Sequence, residues 1–134
     1  SPWIHTMLRC VPMLAAALSF VAAAAATAQP QRTFTATALR GELVVTAPPE
    51  AQLNRQPARL APGARIRDAG NRIVLSGQVV GQKLLVHYTR DPQGNLLDVW
   101  LLTPAEAARK PWPSTPAEAA AWRFDGAAQT WSKP

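Results

Sequence analysis

Twenty residues, Lys83 to Leu102, constrain the fold of this chain more than any others. Two apolar runs, Lys83–Arg90 and Leu96–Leu102, flank Asp91-Pro92-Gln93-Gly94-Asn95. Pro92 has the fixed φ of the second turn residue and Gly94 tolerates positive φ, which spells a type I turn followed by a bulge. The segment therefore reads as a β-hairpin. With Asp91 opposite Asn95, Tyr88 falls opposite Asp98, Val86 opposite Trp100 and Leu84 opposite Leu102. Leu85 and His87 then face Leu101 and Val99 on the other side. Both faces are mostly apolar, so the hairpin must lie centrally, with other strands or a helix covering it.

Residues 1–28 are set aside as a leader. Met7-Leu8-Arg9 is a short positive stretch, Val11–Ala26 an apolar run, and Ala26-Thr27-Ala28 a small-residue cleavage signal. The run is shorter than the roughly 20 residues of a spanning helix, so cleavage after Ala28 and a periplasmic or secreted location are expected, with no transmembrane segment left. Met7 is read as the start. Cys10, the single cysteine, precedes the apolar run rather than ending it, so it is no lipidation site and the mature chain needs no disulfide. The remaining 106 residues of the 134 suffice for one domain with one modest core.

Within that domain, short strands recur between Gly, Pro, Asn and Asp. Thr33–Leu39 alternates apolar and hydroxyl residues as a half-buried strand does, Gly41 breaks it, and Glu42–Thr46 follows until Pro48-Pro49. Asn54-Arg55 makes a tight turn, Pro62-Gly63 another, and Asp68–Asn71 a third before Arg72–Ser76 returns. Such punctuation predicts a mainly β fold: a small antiparallel β-barrel or sandwich of about six strands, with short C-terminal helices. Those helices are written twice. Thr103-Pro104-Ala105-Glu106-Ala107-Ala108 recurs as Thr115-Pro116-Ala117-Glu118-Ala119-Ala120, each copy with a capping Thr, Pro at the first helical position and Glu at the third. The first helix is limited to about two turns by Pro111 and Pro113, and the second is expected to continue through Trp122, Arg123 and Phe124. Domain limits follow as 1–28 leader, 29–108 β domain and 109–134 Pro/Trp-rich segment. Trp112 and Trp122 are expected to cover the open face of the sheet.

No chemistry-bearing constellation emerges. His87 is the one mature histidine, none of the serines sits in a nucleophile elbow, and one histidine without thiols does not build a zinc site. The catalytic and metal assignments are therefore none, and no phosphate-cradling or dinucleotide motif calls for a cofactor. Asp98, between Leu97 and Val99, reads either as a partner of the Tyr88 phenol marking a cleft or as an edge charge that resists aggregation.

Charge is more informative. The chain has 14 basic and 8 acidic residues; losing Arg9 with the leader leaves a mature charge of +5. Arg55, Arg59, Arg65, Arg67 and Arg72 fall in one span opposed by Asp68 alone. In an exported protein such a surface fits an anionic envelope polymer, a lipid head group or an acidic protein before nucleic acid.

The runs LAPGARIR (Leu60–Arg67), VLSG (Val74–Gly77), VGQ (Val80–Gln82), YTRDPQG (Tyr88–Gly94) and DVWLLTPAEAA (Asp98–Ala108) resemble a family of small, uncharacterised exported proteins of proteobacteria, over about half the chain. The resemblance implies an envelope location and a single compact domain, and it carries no activity. The expected function is thus a non-enzymatic exported binding or accessory module whose arginine-rich loops meet an anionic partner, with Tyr88, Asp98 and Trp100 as further candidate contacts. Two alternatives stand beside it: an OB-like barrel binding single-stranded nucleic acid or an anionic polymer, with Tyr88 and Trp100 as stacking platform, and a hydrolase built on His87 and Asp98.

Overall fold

The computed structural model describes residues 31–134, so the expected leader lies outside the described residues. Six strands form the main sheet: β1 (Leu39–Ala47), β2 (Glu50–Leu53), β3 (Gln56–Arg67), β4 (Ile73–Val74), β5 (Leu84–Arg90) and β6 (Leu96–Leu101). Their order is β2-β1-β5-β6-β3-β4, and a further β2–β3 pairing closes five of them into a barrel with β4 as an extra edge strand. All pairings are antiparallel except β3–β6, which is parallel. The expected mainly β fold is thus a barrel rather than a sandwich, antiparallel but for this one pairing. A β1-β2-β3 meander joined to a β5-β6 hairpin in this way is the Greek-key connectivity of OB-type barrels.

Side-chain alternation sorts the strands. Leu39, Tyr88, Val99, Ile66 and Val74 make one cross-strand row inside the barrel, within a core that also holds Leu43, Val45, Leu53, Leu60, Val86 and Leu96. Gly41 does not break β1. It lies in mid-strand where a Cβ would stand 3.0 Å from Leu53 Cδ1 and 3.1 Å from Tyr88 Cε1, so the residue is small because the core passes close over it.

Several expected boundaries move. Thr33–Ala38 is not a strand but a segment of coil and turn leading into β1. The two-residue β2–β3 turn forms at Asn54-Arg55, both at positive φ (52° and 68°) as a mirror-image turn requires. Pro62-Gly63 does not turn the chain; β3 runs through it, and the register against β6 slips there, Leu60 facing Leu96 but Arg65 facing Asp98. Pro62 has no N–H to leave unpaired, which suits this bend. The return strand is only Ile73–Val74.

The hairpin forms as expected, with Gly94 at φ 87°, but its register differs. Arg90 pairs with Leu96, as the turn dictates, whereas Tyr88 pairs with Val99 and His87 with Trp100. Leu97 and Asp98 thus oppose Thr89 alone, a bulge in β6 that carries every later residue of that strand to the opposite face. Tyr88 points into the barrel and Trp100 out of it.

Two short helices follow, α1 (Pro104–Ala107) and α2 (Pro116–Ala121). Helix α1 is a single turn, shorter than expected. Helix α2 stops at Ala121, and Arg123–Asp125 instead pairs with Thr130–Ser132 as a ribbon, β7 and β8. Both capping threonines act as the sequence predicts: Thr103 Oγ1 accepts the Glu106 N–H at 3.1 Å and Thr115 Oγ1 that of Glu118 at 3.1 Å. No helix among the described residues is long and apolar enough to cross a membrane.

Candidate functional site

One row of outward-facing residues crosses five strands: Arg40 on β1, His87 on β5, Trp100 on β6, Arg67 on β3 and Ile73 on β4. The termini divide it into a covered and an open half.

The covered half begins at His87. Trp112 stacks on its imidazole with ring centres 4.2 Å apart, and Phe34 meets it edge-on at 4.5 Å. Trp131 and Phe124 close over Trp112. Trp112 and Trp131 are buried and Trp122 is half-buried, so the Trp-rich segment packs on the barrel. Polar pairs fasten it: Trp112 Nε1 donates to the Ala38 carbonyl at 2.9 Å, and the Gln129 amide exchanges two hydrogen bonds with the Phe34 backbone.

Arg40 donates to His87 Nε2 at 3.2 Å and to the Glu106 and Ala107 carbonyls at the end of α1. Burial, with the Arg40, Arg32 and Arg109 charges in support, pushes the imidazole down to about 3. A base that weak, with Nε2 already engaged, is badly matched to proton abstraction near neutral pH. Asp98 accepts from Arg65 and Arg67 instead, so His87 and Asp98 do not form the hydrogen-bonded pair that a hydrolase would need. Beneath the row, Arg32 forms a buried ion pair with Glu106 and donates to the Asp68 and Leu101 carbonyls at 2.9 and 2.8 Å. Burial alone would raise the Glu106 carboxyl, but the hydrogen bonds from Arg32 and Thr103 outweigh it and hold the group below its ordinary value.

The open half is the candidate site. Arg65, Arg67, Asp98 and Trp100, with Arg32 and Asn71, line a shallow depression of about 570 Å³. Arg65 Nε donates to Asp98 Oδ1 at 3.1 Å and Arg67 Nη1 to the same oxygen at 3.3 Å. The Arg67 guanidinium lies 5.9 Å from the Trp100 ring centre. Two cations thus share one carboxylate, which leaves the cluster with a net positive charge. Asp98 is no edge charge, since β6 is paired on both sides, and it is not the partner of Tyr88. Its backbone N–H and carboxylate both meet Thr89 Oγ1, opposite the bulge.

The other candidates are elsewhere. Arg59 pairs with Glu50 on the exposed face of the β2–β3 hairpin and Arg55 occupies its turn. Arg72 is exposed just before β4, after a turn in which Asp68 Oδ1 accepts the Gly70 and Arg72 N–H groups. The five arginines therefore form two surfaces. Tyr88, 3 % exposed, reaches toward the Ser114 carbonyl with the Arg90 guanidinium over its ring, and burial raises its phenol above the ordinary value despite that cation. It forms no stacking platform with Trp100.

A second cavity of about 530 Å³ lies between β5 and α2, beside Leu39, Tyr88, Arg90 and Ala119. Among the described residues no group of three or more His, Cys, Asp or Glu could hold a metal ion. Arg32 was missed in the sequence because it sits in a stretch without periodicity, and its partner Glu106 carries the same capping signature as the solvent-exposed Glu118.

Neither family models, nor curated proteins, nor solved structures give a match to this chain.

Proposed function

We propose that the chain is a non-enzymatic binding module of the bacterial cell envelope that takes an anionic partner on the outer face of β6 and β3. The observation that carries this reading is the sharing of Asp98 by Arg65 and Arg67 beside the half-buried Trp100. Guanidinium forks recognise phosphate or carboxylate oxygens in pairs, and an aromatic face beneath one fork fixes its plane. Export, read from residues 1–28, puts envelope polyanions and anionic head groups within reach. The weak His87 base, and the engagement of Asp98 by Arg65 and Arg67 rather than by His87, speak against hydrolysis. The OB connectivity favours an extended anionic ligand over a small one, while the inward turn of Tyr88 removes half of the stacking platform that single-stranded nucleic acid would use.

Retention of residues 29–134 on native envelope material across a salt series tests the reading. Exchanging Arg65→Gln and Arg67→Gln together is expected to weaken retention about tenfold to thirtyfold, at about 1 kcal/mol for each cation close to an anionic surface. Retention should also fall as salt rises, and the pair Arg55→Gln with Arg59→Gln should matter little. Undiminished retention of the Arg65/Arg67 variant would overturn the assignment.

A further inference from the structure

Beyond Arg67 the open row does not end in charge. Ile73 is its cross-strand neighbour on β4 and is 60 % exposed. Leu75, the next residue but one, is 69 % exposed and with Ile73 lines a neighbouring depression beside Pro62, Ala64 and Ile66. Among the described residues these are the two most exposed large apolar side chains; Ile73 lies on a two-residue edge strand and Leu75 directly follows it. Edge strands are ordinarily blunted with charge or proline, and a free apolar edge continuous with a binding site marks a contact surface.

The charge next to these residues along the chain has one sign. From Ala69 to Arg90 the sequence contains no carboxylate, while Arg72 and Lys83 bracket the exposed apolar residues. Asp68, just before this stretch, spends one carboxylate oxygen on two backbone N–H groups of its own turn. Trp100, Arg67 and Ile73 thus present an aromatic, a cation and an aliphatic side chain in one line, with Arg65 beside them. A hydrophilic polyanion has no use for the apolar end of that line, whereas an anionic amphiphile satisfies both ends.

We propose that the anionic partner is a lipid bilayer surface, on which the β3–β4 edge sits peripherally. Arg65, Arg67 and Arg72 meet the head-group phosphates, while Ile73 and Leu75 enter the boundary of the acyl layer with the Trp100 indole at head-group depth. The inference rests on the binding reading above and narrows it to a lipid partner.

Flotation of residues 29–134 with vesicles of equal parts phosphatidylcholine and phosphatidylglycerol, beside retention on soluble dextran sulfate, tests it. Ile73→Ser with Leu75→Ser keeps every charge, and both sites are exposed enough for the barrel to tolerate the change; far-ultraviolet circular dichroism confirms folding. The expected result is a loss of vesicle binding of about tenfold or more, with dextran sulfate retention unchanged. The Arg65/Arg67 variant should lose both. Vesicle binding indifferent to the Ile73/Leu75 variant would overturn the lipid inference and leave the anion-binding reading in place. So would concentration-dependent self-association that this variant abolishes without any vesicle binding, which would assign the edge to a second copy of the chain. Binding of both probes that ignores the arginine variant would overturn the two together.

Discussion

His87 shows how much a single residue owes to its surroundings. It is buried between Trp112 and Phe34, accepts from Arg40, and is held neutral down to about pH 3. In the unfolded chain it would take a proton near 6.5. The unfolded state therefore binds more protons between these values, and stability must fall as pH drops from about 6.5 toward 3, by several kcal/mol over the interval. Urea unfolding of His87→Phe should lack most of this slope even though its absolute stability is lower, because Arg40 loses an acceptor. Glu106 adds to the acid sensitivity in the same direction, at lower pH. Its carboxyl is depressed in the folded state, so its contribution is present above the ordinary carboxylate range and disappears as pH falls through the lowered value. Removing Glu106 while leaving Arg32 buried strands a cation: Glu106→Gln should cost about 3–5 kcal/mol, measured by denaturant unfolding, whereas Glu50→Gln at the exposed pair with Arg59 should cost under about 1 kcal/mol.

At the scale of elements, identical sequence does different work in the two copies of the capping hexapeptide. Thr103 is buried and its cap also fixes Glu106 beneath Arg32; Thr115 is exposed and Glu118 turns back to the Ser114 N–H at 2.9 Å. Thr103→Ala is expected to cost about 2 kcal/mol and Thr115→Ala about 0.5–1 kcal/mol, a difference that thermal unfolding of the two variants reads directly. Both helix starts were legible because a cap is local chemistry. The end of α2 was not, since Arg123–Asp125 becomes strand only by pairing with Thr130–Ser132, a partner its own neighbourhood does not announce. The hairpin divides in the same way. Its turn is written in Pro92 and Gly94, but the bulge at Leu97-Asp98 arises from the meeting of β6 with both β5 and β3, and no residue there advertises it. That single slip turned the expected Tyr88–Trp100 face into two opposite faces. Gly41 was misread for a related reason, because a glycine demanded by packing looks like one demanded by a bend. Gly41→Val should destabilise the barrel by about 1–3 kcal/mol through overpacking against Leu53 and Tyr88.

For the whole molecule, strand periodicity and turn chemistry were enough to give a small β-barrel with short helices, while closure through a parallel β3–β6 pairing was beyond them because it joins segments some thirty residues apart. The candidate site was half legible. Clustered arginines in the sequence become two surfaces in space, and only the barrel register shows that Arg65 and Arg67 stand beside Trp100 while Arg55 and Arg59 stand apart. The terminal segments then select the working half of the row by covering Arg40 and His87 and leaving Arg67 and Ile73 open. The most direct test is a residue-resolved one: backbone amide shifts of residues 29–134 followed by NMR during titration with dextran sulfate. The account predicts perturbations concentrated in Arg65–Leu75 and Asp98–Trp100, with Asn54–Arg59 still. Perturbations centred on Asn54–Arg59, or spread evenly over every exposed cation, would contradict it.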